Sequence, residues 1–152
     1  MHVSRHRHTA VPAVYALFEQ EGRYLFMLRK GSGYFDGWYG VPSGHVEPEE
    51  LPVAGLLREV HEEIGITLRV DDVEFVHTLY RAAEDATGER VDFFFRVRQW
   101  SGSPRICEPH KCDALAWLSP DALPPNVMPF IVRVLRSLAE GKFYDELSFA
   151  TR

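Results

Sequence analysis

Residues 44–66 read GHVEPEELPVAGLLREVHEEIGI and contain six glutamates but only one arginine. The apolar residues of this stretch recur at offsets of 3, 4, 7 and 11 residues, the spacing of one buried helix face; they are Val53, Leu56, Leu57, Val60 and Ile64. Pro52 suits the first turn of a helix, and Gly65 suits its C-terminal end. The stretch therefore predicts an amphipathic α-helix that begins at Pro52 and ends before Gly65.

Three glutamates of this helix, Glu59, Glu62 and Glu63, fall on one side of it, because successive residues advance by about 100°. Carboxylates one turn apart repel each other, and an acidic run is most often a solvated surface. These glutamates also lie near the helix C-terminus, where the helix dipole disfavours negative charge. A hard divalent cation between them would offset the repulsion, because Mg²⁺ and Mn²⁺ take oxygen ligands. Since Mg²⁺ usually binds substrate phosphates as well, the pattern points to phosphate chemistry.

Composition excludes several other classes of protein. The chain has 152 residues, of which 45% are hydrophobic and 26% charged, so we expect one globular domain. A net charge of -5 argues against stable nucleic-acid binding, which needs surplus Lys and Arg. An apolar run of the roughly 18 residues that a membrane span needs is absent, as is a secretory-signal core, so a cytoplasmic location away from membranes is expected. Cys107 and Cys112 are predicted to form neither a disulfide nor a zinc site.

The remaining sequence predicts a mixture of strands and helices. Strands are indicated by β-branched and aromatic residues at 11–20, 23–30, 66–70, 73–82, 91–100 and 113–119. The glycine-rich segment 31–44 predicts an irregular aromatic loop, and 84–89 a polar turn. A second amphipathic helix is predicted at 130–141. This order of elements favours an α/β sandwich with a mixed β-sheet.

The spacing within residues 44–66 resembles the signature of the Nudix hydrolase family. All nine specified positions are filled, by Gly44, Glu50, Arg58, Glu59, Val60, Glu62, Glu63, Gly65 and Ile66. So many positions at fixed spacing make a far more specific match than a short glycine motif. The later LAWLSPDALP is similar to the strand and turn that follow the family's active-site loop. One departure is Ser43, where many members have glycine, and we expect it to alter loop detail rather than abolish activity.

The resemblance implies a Nudix-type α/β/α sandwich and divalent-metal-dependent hydrolysis of a nucleoside diphosphate linked to another group. It implies that the ligands of Mg²⁺ or Mn²⁺ are Glu59, Glu62 and Glu63. Glu50 would be a supporting carboxylate, and Arg58 would orient a glutamate. Gly44 would allow the backbone to approach metal or phosphate.

Further candidates lie outside this motif. In the family, an outside carboxylate often acts as base or extra ligand, and Glu108 is the first candidate because its loop precedes a late strand. The alternative is a solvated loop acid. Weaker candidates are Glu84, Glu89 and Asp113. Arg29 and Lys111 are candidate phosphate donors, although each also suits a plain surface charge.

Aromatic residues divide into two predicted groups. Those that suit stacking on a nucleobase are Phe35, Trp38, Tyr39 and Tyr80. Those expected in the core are Phe93, Phe94, Phe95, Trp100 and Trp117. The histidines of the terminal segment, His2, His6 and His8, are predicted to be disordered rather than metal ligands.

The preferred interpretation is a pyrophosphohydrolase that cuts a nucleoside triphosphate, whether unmodified, modified or damaged, to monophosphate and pyrophosphate. A dinucleoside polyphosphate or a nucleotide sugar is an alternative substrate. The chain lacks two markers of those subfamilies, because no proline lies between Pro52 and Pro104 and Tyr80 comes slightly early for the expected tyrosine. A non-catalytic nucleotide-sensing module is disfavoured because the motif glutamates are all present. An isomerase acting on an isoprenyl diphosphate is disfavoured because no cysteine precedes Cys107.

The predicted organisation is simple. A flexible polar N-terminus is expected at 1–10, a single Nudix domain at 11–145 and a C-terminal tail at 146–152. The expected partner is a small-molecule nucleotide substrate, and the expected assembly is a monomer or homodimer.

Overall fold

A computed structural model of the chain describes residues 7–83 and 88–148. Its elements in chain order are β1 (Ala10–Gln20), β2 (Arg23–Arg29), β3 (Tyr39–Gly40), β4 (Ser43–His45), α1 (Pro52–Ile64), β5 (Val73–Arg81), β6 (Glu89–Val97), β7 (Cys112–Leu118), α2 (Pro129–Ala139) and β8 (Tyr144–Leu147). Glu84, His2, His6 and most of the predicted turn at 84–89 lie outside the described residues. Within the described ranges, neither helix is long and apolar enough to cross a membrane.

Strand β1 organises the sheet because it pairs with three other strands. It runs parallel to β6 and antiparallel to β4, and its end forms a hairpin with β2. Beyond β6, the sheet continues with antiparallel β5 and parallel β8. Strand β2 carries β3 and β7, both antiparallel. The predicted mixed sheet is therefore confirmed.

The sheet lies between the two helices. Alternate residues of β1 point to opposite faces, as in any strand. Tyr15 and Leu17 belong to the core under α2, whereas Ala16 and Phe18 belong to the core under α1. On α1, the fully buried side chains are Leu56, Val60 and Ile64, and each contributes about 1.5–3 kcal/mol by burial. These two cores confirm the predicted α/β/α sandwich.

Both helices end where the sequence predicts. Gly65 follows α1 with a left-handed φ of 71°, and its N–H donates to the carbonyl oxygen of His61. Gly141 follows α2 with a φ of 72°. Glycine adopts this conformation without the steric cost that other residues meet, so it terminates the helix.

Three local predictions were wrong. The segment 31–44 is not wholly irregular, because β3 and the start of β4 lie in it; their pairing with β2 and β1 outweighs the weak local propensity. The predicted strand at 66–70 is extended chain that leads into a short 3-10 helix at Val70–Asp72. The predicted tail from residue 146 begins inside β8, since that strand gains its backbone partners from β5.

Candidate active site

One cleft, of about 640 Å³, gathers most of the residues predicted from the sequence. Those that line it are Gly44, Arg58, Glu59, Glu62, Glu63, Glu108, Arg29 and Lys111. Helix α1 supplies the carboxylates, β4 supplies the glycine, and the segment before β7 supplies Glu108 and Lys111. The fold therefore brings the acidic face of α1 into one cleft with basic side chains from β2 and from the segment before β7.

Arg58 braces the acidic face. Its Nε and Nη2 donate to the two carboxylate oxygens of Glu50, at 2.8 and 2.9 Å. Its Nη1 donates to Oε1 of Glu59 at 2.8 Å. The fork-like bond from the guanidinium, helped by the backbone N–H of Glu47, lowers the pKa of Glu50 to about 2. Glu50 thus supports Arg58 from outside the cleft, as the resemblance implies.

We expect Arg58→Gln to raise the pKa of Glu50 from about 2 toward its ordinary value, which is about 4.3. A carboxyl whose folded-state pKa is depressed stabilises the fold above its unfolded-state pKa, and that stability is lost as the pH falls toward 2. The free energy of unfolding of Arg58→Gln should therefore fall less than that of the wild type as the pH is lowered through this range. NMR titration of the side-chain carboxyl of Glu50 in metal-free protein measures the effect.

Arg69→Gln is the matched control, because Arg69 is exposed and pairs only loosely with Asp72, at 3.8 Å. An unchanged pKa of Glu50 in Arg58→Gln would contradict the brace.

Glu59 and Glu63 are crowded carboxylates. Burial raises the pKa of Glu63 well above its ordinary value, and the nearby charge of Glu59 adds to the shift. Burial also raises the pKa of Glu59, although Arg58 opposes it. The backbone N–H of Ser43 donates to Oε1 of Glu63 at 3.3 Å. The side chain of Glu62 is 50% exposed and lies 3.5 Å from Arg58. One arginine therefore leaves much of this negative charge uncompensated.

The donor set fits a hard divalent cation, since every candidate ligand is a carboxylate oxygen. Gly44 strengthens this fit: a Cβ at that position would lie only 2.1 Å from the carboxyl carbon of Glu59, so glycine alone admits the close approach. Within the described residues, no three His, Cys, Asp or Glu side chains are already gathered around a point that could hold a metal. Glu59 accepts instead from Arg58, and Glu63 from the Ser43 amide.

The candidate carboxylates outside residues 44–66 lie in different places. Glu108 lies close enough to Glu63 for its charge to raise the pKa of that carboxyl. Lys111 Nζ lies 3.7 Å from Glu108 Oε2. Among the weaker candidates, Asp113 forms an ion pair with Lys30 at 3.0 Å, and Glu89 binds Tyr80 and His8. Glu108 is therefore the outside carboxylate that faces the cleft.

The structure places the predicted stacking residues away from the cleft wall. Phe35 and Trp38 contact each other edge to face and pack against the core under α2. Tyr39 packs against the same core, and its backbone is held by Asn126 and Met128. Tyr80 donates its hydroxyl to Glu89 at 2.9 Å and lines a different groove, beside β8. None of these four rings lines the cleft, so their stacking on a nucleobase stays a prediction.

Other aromatic residues line the cleft instead. They are Tyr15, Tyr34 and Phe130. Tyr15 and Phe130 belong to strand and helix patterns that predict burial, and Tyr34 was one of several aromatic residues in a glycine-rich loop. The expected core aromatics behave as predicted: Phe94 and Phe95 are buried, and Phe93, Trp100 and Trp117 pack partly buried against the core under α1.

A buried ion pair under the cleft was also missed. Arg81 Nε donates to Oδ2 of Asp92 at 2.5 Å, and the two side chains are 5% and 0% exposed. Arg81 also donates to the hydroxyl of Tyr15 at 3.2 Å and lies 3.9 Å from the ring centre of Phe130. The pairing of β5 with β6 brings Arg81 and Asp92 together, and Tyr15 and Phe130 come from β1 and α2, so no local sequence signal predicts the cluster.

An α/β/α sandwich whose cleft joins a carboxylate-bearing helix to basic loops is typical of hydrolases that act on phosphoanhydrides. The model of the NUDIX domain family matches residues 6–138. The chain therefore belongs to the Nudix family and is a Nudix hydrolase acting on phosphoanhydride bonds, which confirms the resemblance seen in residues 44–66.

Several known proteins are similar to this chain. A MutT-like protein of Streptomyces ambofaciens is 29% identical over 78% of this chain and 70% of its own length. A CTP pyrophosphohydrolase of Escherichia coli is 27% identical over 73% of this chain and 77% of its own. An 8-oxo-dGTP diphosphatase of the same organism is 26% identical over 79% of this chain and 92% of its own.

A solved structure is similar to the whole domain. The crystal structure of a MutT NUDIX hydrolase from Burkholderia pseudomallei is 26% identical and superposes with a TM-score of 0.74. The match covers 84% of this chain and 95% of that one. It confirms the predicted fold class.

Proposed function

We propose that this Nudix hydrolase is a pyrophosphohydrolase that cleaves a nucleoside triphosphate, unmodified, modified or damaged, to monophosphate and pyrophosphate. The observation that carries the proposal is that one cleft is lined both by the carboxylates of α1 and by aromatic residues, among them Tyr34 and Phe130. Such a cleft can hold phosphates at one end and a nucleoside at the other. The two Escherichia coli relatives, whose names specify CTP and 8-oxo-dGTP, support a triphosphate substrate.

In this proposal, Glu59, Glu62 and Glu63 would hold Mg²⁺ or Mn²⁺, which would neutralise phosphate charge and lower the pKa of water. Arg58 keeps Glu59 on the cleft side of the helix through the 2.8 Å bond. The Ser43 amide holds Glu63. These contacts restrict the motion of the Glu59 and Glu63 side chains, which would still have to turn toward a bound metal.

Side chains from outside α1 complete the proposed site. Glu108 accepts the proton of the attacking water as general base. Lys111 and Arg29 donate to phosphate oxygens, because charged donors form the stronger hydrogen bonds to phosphate. Cys112 also lines the cleft, but burial raises the pKa of its thiol and its Sγ lies 3.3 Å from the carbonyl oxygen of Ala114. A protonated thiol is a poor nucleophile, so cleavage uses water.

Product analysis tests the proposal. Purified protein is incubated with nucleoside triphosphates, dinucleoside polyphosphates and nucleotide sugars, each with Mg²⁺, with Mn²⁺ and with EDTA. We expect monophosphate and pyrophosphate from a triphosphate, with loss of turnover in EDTA and recovery when the metal is restored. Exclusive cleavage of a nucleotide sugar or a dinucleoside polyphosphate would refute the substrate class. Nucleotide binding without turnover of any substrate would favour the sensing module.

A further inference from the structure

Arg29 and Arg90 line the cleft, and the buried Arg81 contacts two of its lining residues, Tyr15 and Phe130. Arg81 of β5 and Arg90 of β6 stand directly opposite each other across the strand pair, an arrangement that destabilises a sheet when both charges are alike. Arg29 adds a third: the guanidinium carbons of Arg29 and Arg90 lie 5.6 and 5.3 Å from the ring centre of Tyr34. Arg81 and Arg90 therefore need separate explanations.

Arg81 has a structural explanation. Asp92 neutralises its charge, and its guanidinium is buried against Phe130 and the hydroxyl of Tyr15. A buried ion pair is seldom a net source of stability, because desolvation offsets the attraction. Here it fixes two rings, Tyr15 and Phe130, that form the inner surface of the cleft. Arg81 and Asp92 are therefore positioning residues that hold this surface rigid.

Arg90 differs from Arg81, because it is only half-buried and lines the cleft itself. The distance from the acidic end of the cleft to its strand, β6, also suits the length of a nucleoside. Ala13 of β1 pairs with His45 of β4 on one side and Asp92 of β6 on the other. Two strand spacings, about 10 Å, therefore separate β4 at the acidic end from β6. Arg90 lies two residues before Asp92 on β6, so a nucleotide with its phosphates at the acidic end would extend toward it.

We propose that Arg90 is a specificity-determining residue that binds the O6 and N7 acceptors of a guanine base, so that guanine nucleotides are preferred over adenine nucleotides. This inference rests on the proposed function. Arginine has a planar fork of donors that matches those two acceptors, whereas adenine places an amino donor at position 6. The ring of Tyr34 holds the guanidinium of Arg90 in place by a cation–π contact. The base-recognising end of the cleft is thus rich in donors.

The test compares kcat/KM for dGTP, dATP and dCTP in wild-type protein, Arg90→Gln and Arg98→Gln. Arg98 is the matched control, since it lies just beyond β6, is exposed and contacts Glu19 rather than the cleft. We expect wild-type protein to prefer dGTP over dATP by about tenfold or more, the range of one good bidentate contact. Arg90→Gln should bring the two substrates close to parity, and Arg98→Gln should retain the preference. Equal use of dATP, a preference for dCTP, or an unchanged preference in Arg90→Gln would overturn the inference.

Binding of products separates this inference from the proposed function. Calorimetry with dGMP and dAMP in the absence of metal should show about tenfold tighter binding of dGMP by wild-type protein, lost in Arg90→Gln. If dGMP is preferred but no triphosphate is hydrolysed, the proposed function fails and the base preference stands. If triphosphates are hydrolysed but dGMP and dAMP bind equally, the base preference fails and the proposed function stands.

Discussion

Glu62→Gln is expected to lower kcat by at least about 100-fold, because even supporting residues of metal sites change activity by 10- to 100-fold when lost. The side chain of Glu62 is half-exposed and lines the cleft, and its nearest cation, Arg58, is 3.5 Å away. Its carboxylate is therefore the most exposed of the three on the acidic face and the most accessible to a cation. Glutamine preserves the shape but removes that charge. Steady-state kinetics with Mg²⁺, together with the Kd of Mn²⁺ by electron paramagnetic resonance, measures the loss.

Glu140→Gln is the matched control for this variant, since Glu140 is exposed at the end of α2 and pairs with Lys142. Both variants should keep the thermal stability of the parent, because surface substitutions rarely change stability by more than about 0.5 kcal/mol. Unchanged turnover in Glu62→Gln would remove Glu62 from the proposed ligand set. A loss of turnover with unchanged affinity for Mn²⁺ would reassign it to substrate or water.

The acidic face was predictable because it depends on helical geometry alone. Once α1 is recognised, the advance of about 100° per residue places Glu59, Glu62 and Glu63 on one side. The role of Arg58 followed from its place in the motif. The structure added how the guanidinium of Arg58 is shared: it contacts Glu50 and Glu59 at 2.8 Å each and Glu62 at 3.5 Å.

The nucleoside end was not predictable, because it depends on register between distant strands. Arg81 and Arg90 meet only because β5 and β6 pair in one particular alignment. Tyr34 reaches the cleft because its loop is closed by Asp36, which accepts hydrogen bonds from Ser32 and Gly33. Neither the register nor the loop closure has a strong local signal. The sequence therefore predicted residues of the acidic face that line the cleft, whereas the aromatic residues that line it, Tyr15, Tyr34 and Phe130, were not among its candidates.

Gly44→Ala is expected to lower kcat by about 100-fold, the typical cost of misplacing a catalytic group by about 1 Å. The added Cβ would lie 2.1 Å from the carboxyl carbon of Glu59 and 2.2 Å from its Oε1, so the carboxylate must move. That movement also breaks the 2.8 Å bond from Arg58. The displaced atoms are the far end of a flexible side chain, so the fold should survive with a stability change of about 1 kcal/mol or less. Kinetics and thermal unfolding of the same sample measure both effects.

Ser43→Ala is the control for Gly44→Ala, because only the backbone N–H of Ser43 contacts Glu63, and alanine keeps that donor. It should therefore remain close to wild-type activity, whereas Gly44→Ala should bind Mn²⁺ more weakly because Glu59 has left its position. Full activity in Gly44→Ala would mean that Glu59 can move without consequence and is no ligand. Unfolding of Gly44→Ala would mean that the glycine serves packing instead of the approach of β4 to the carboxylates. Retained fold, weakened metal binding and lost turnover together are the outcome that only the proposed cation site explains.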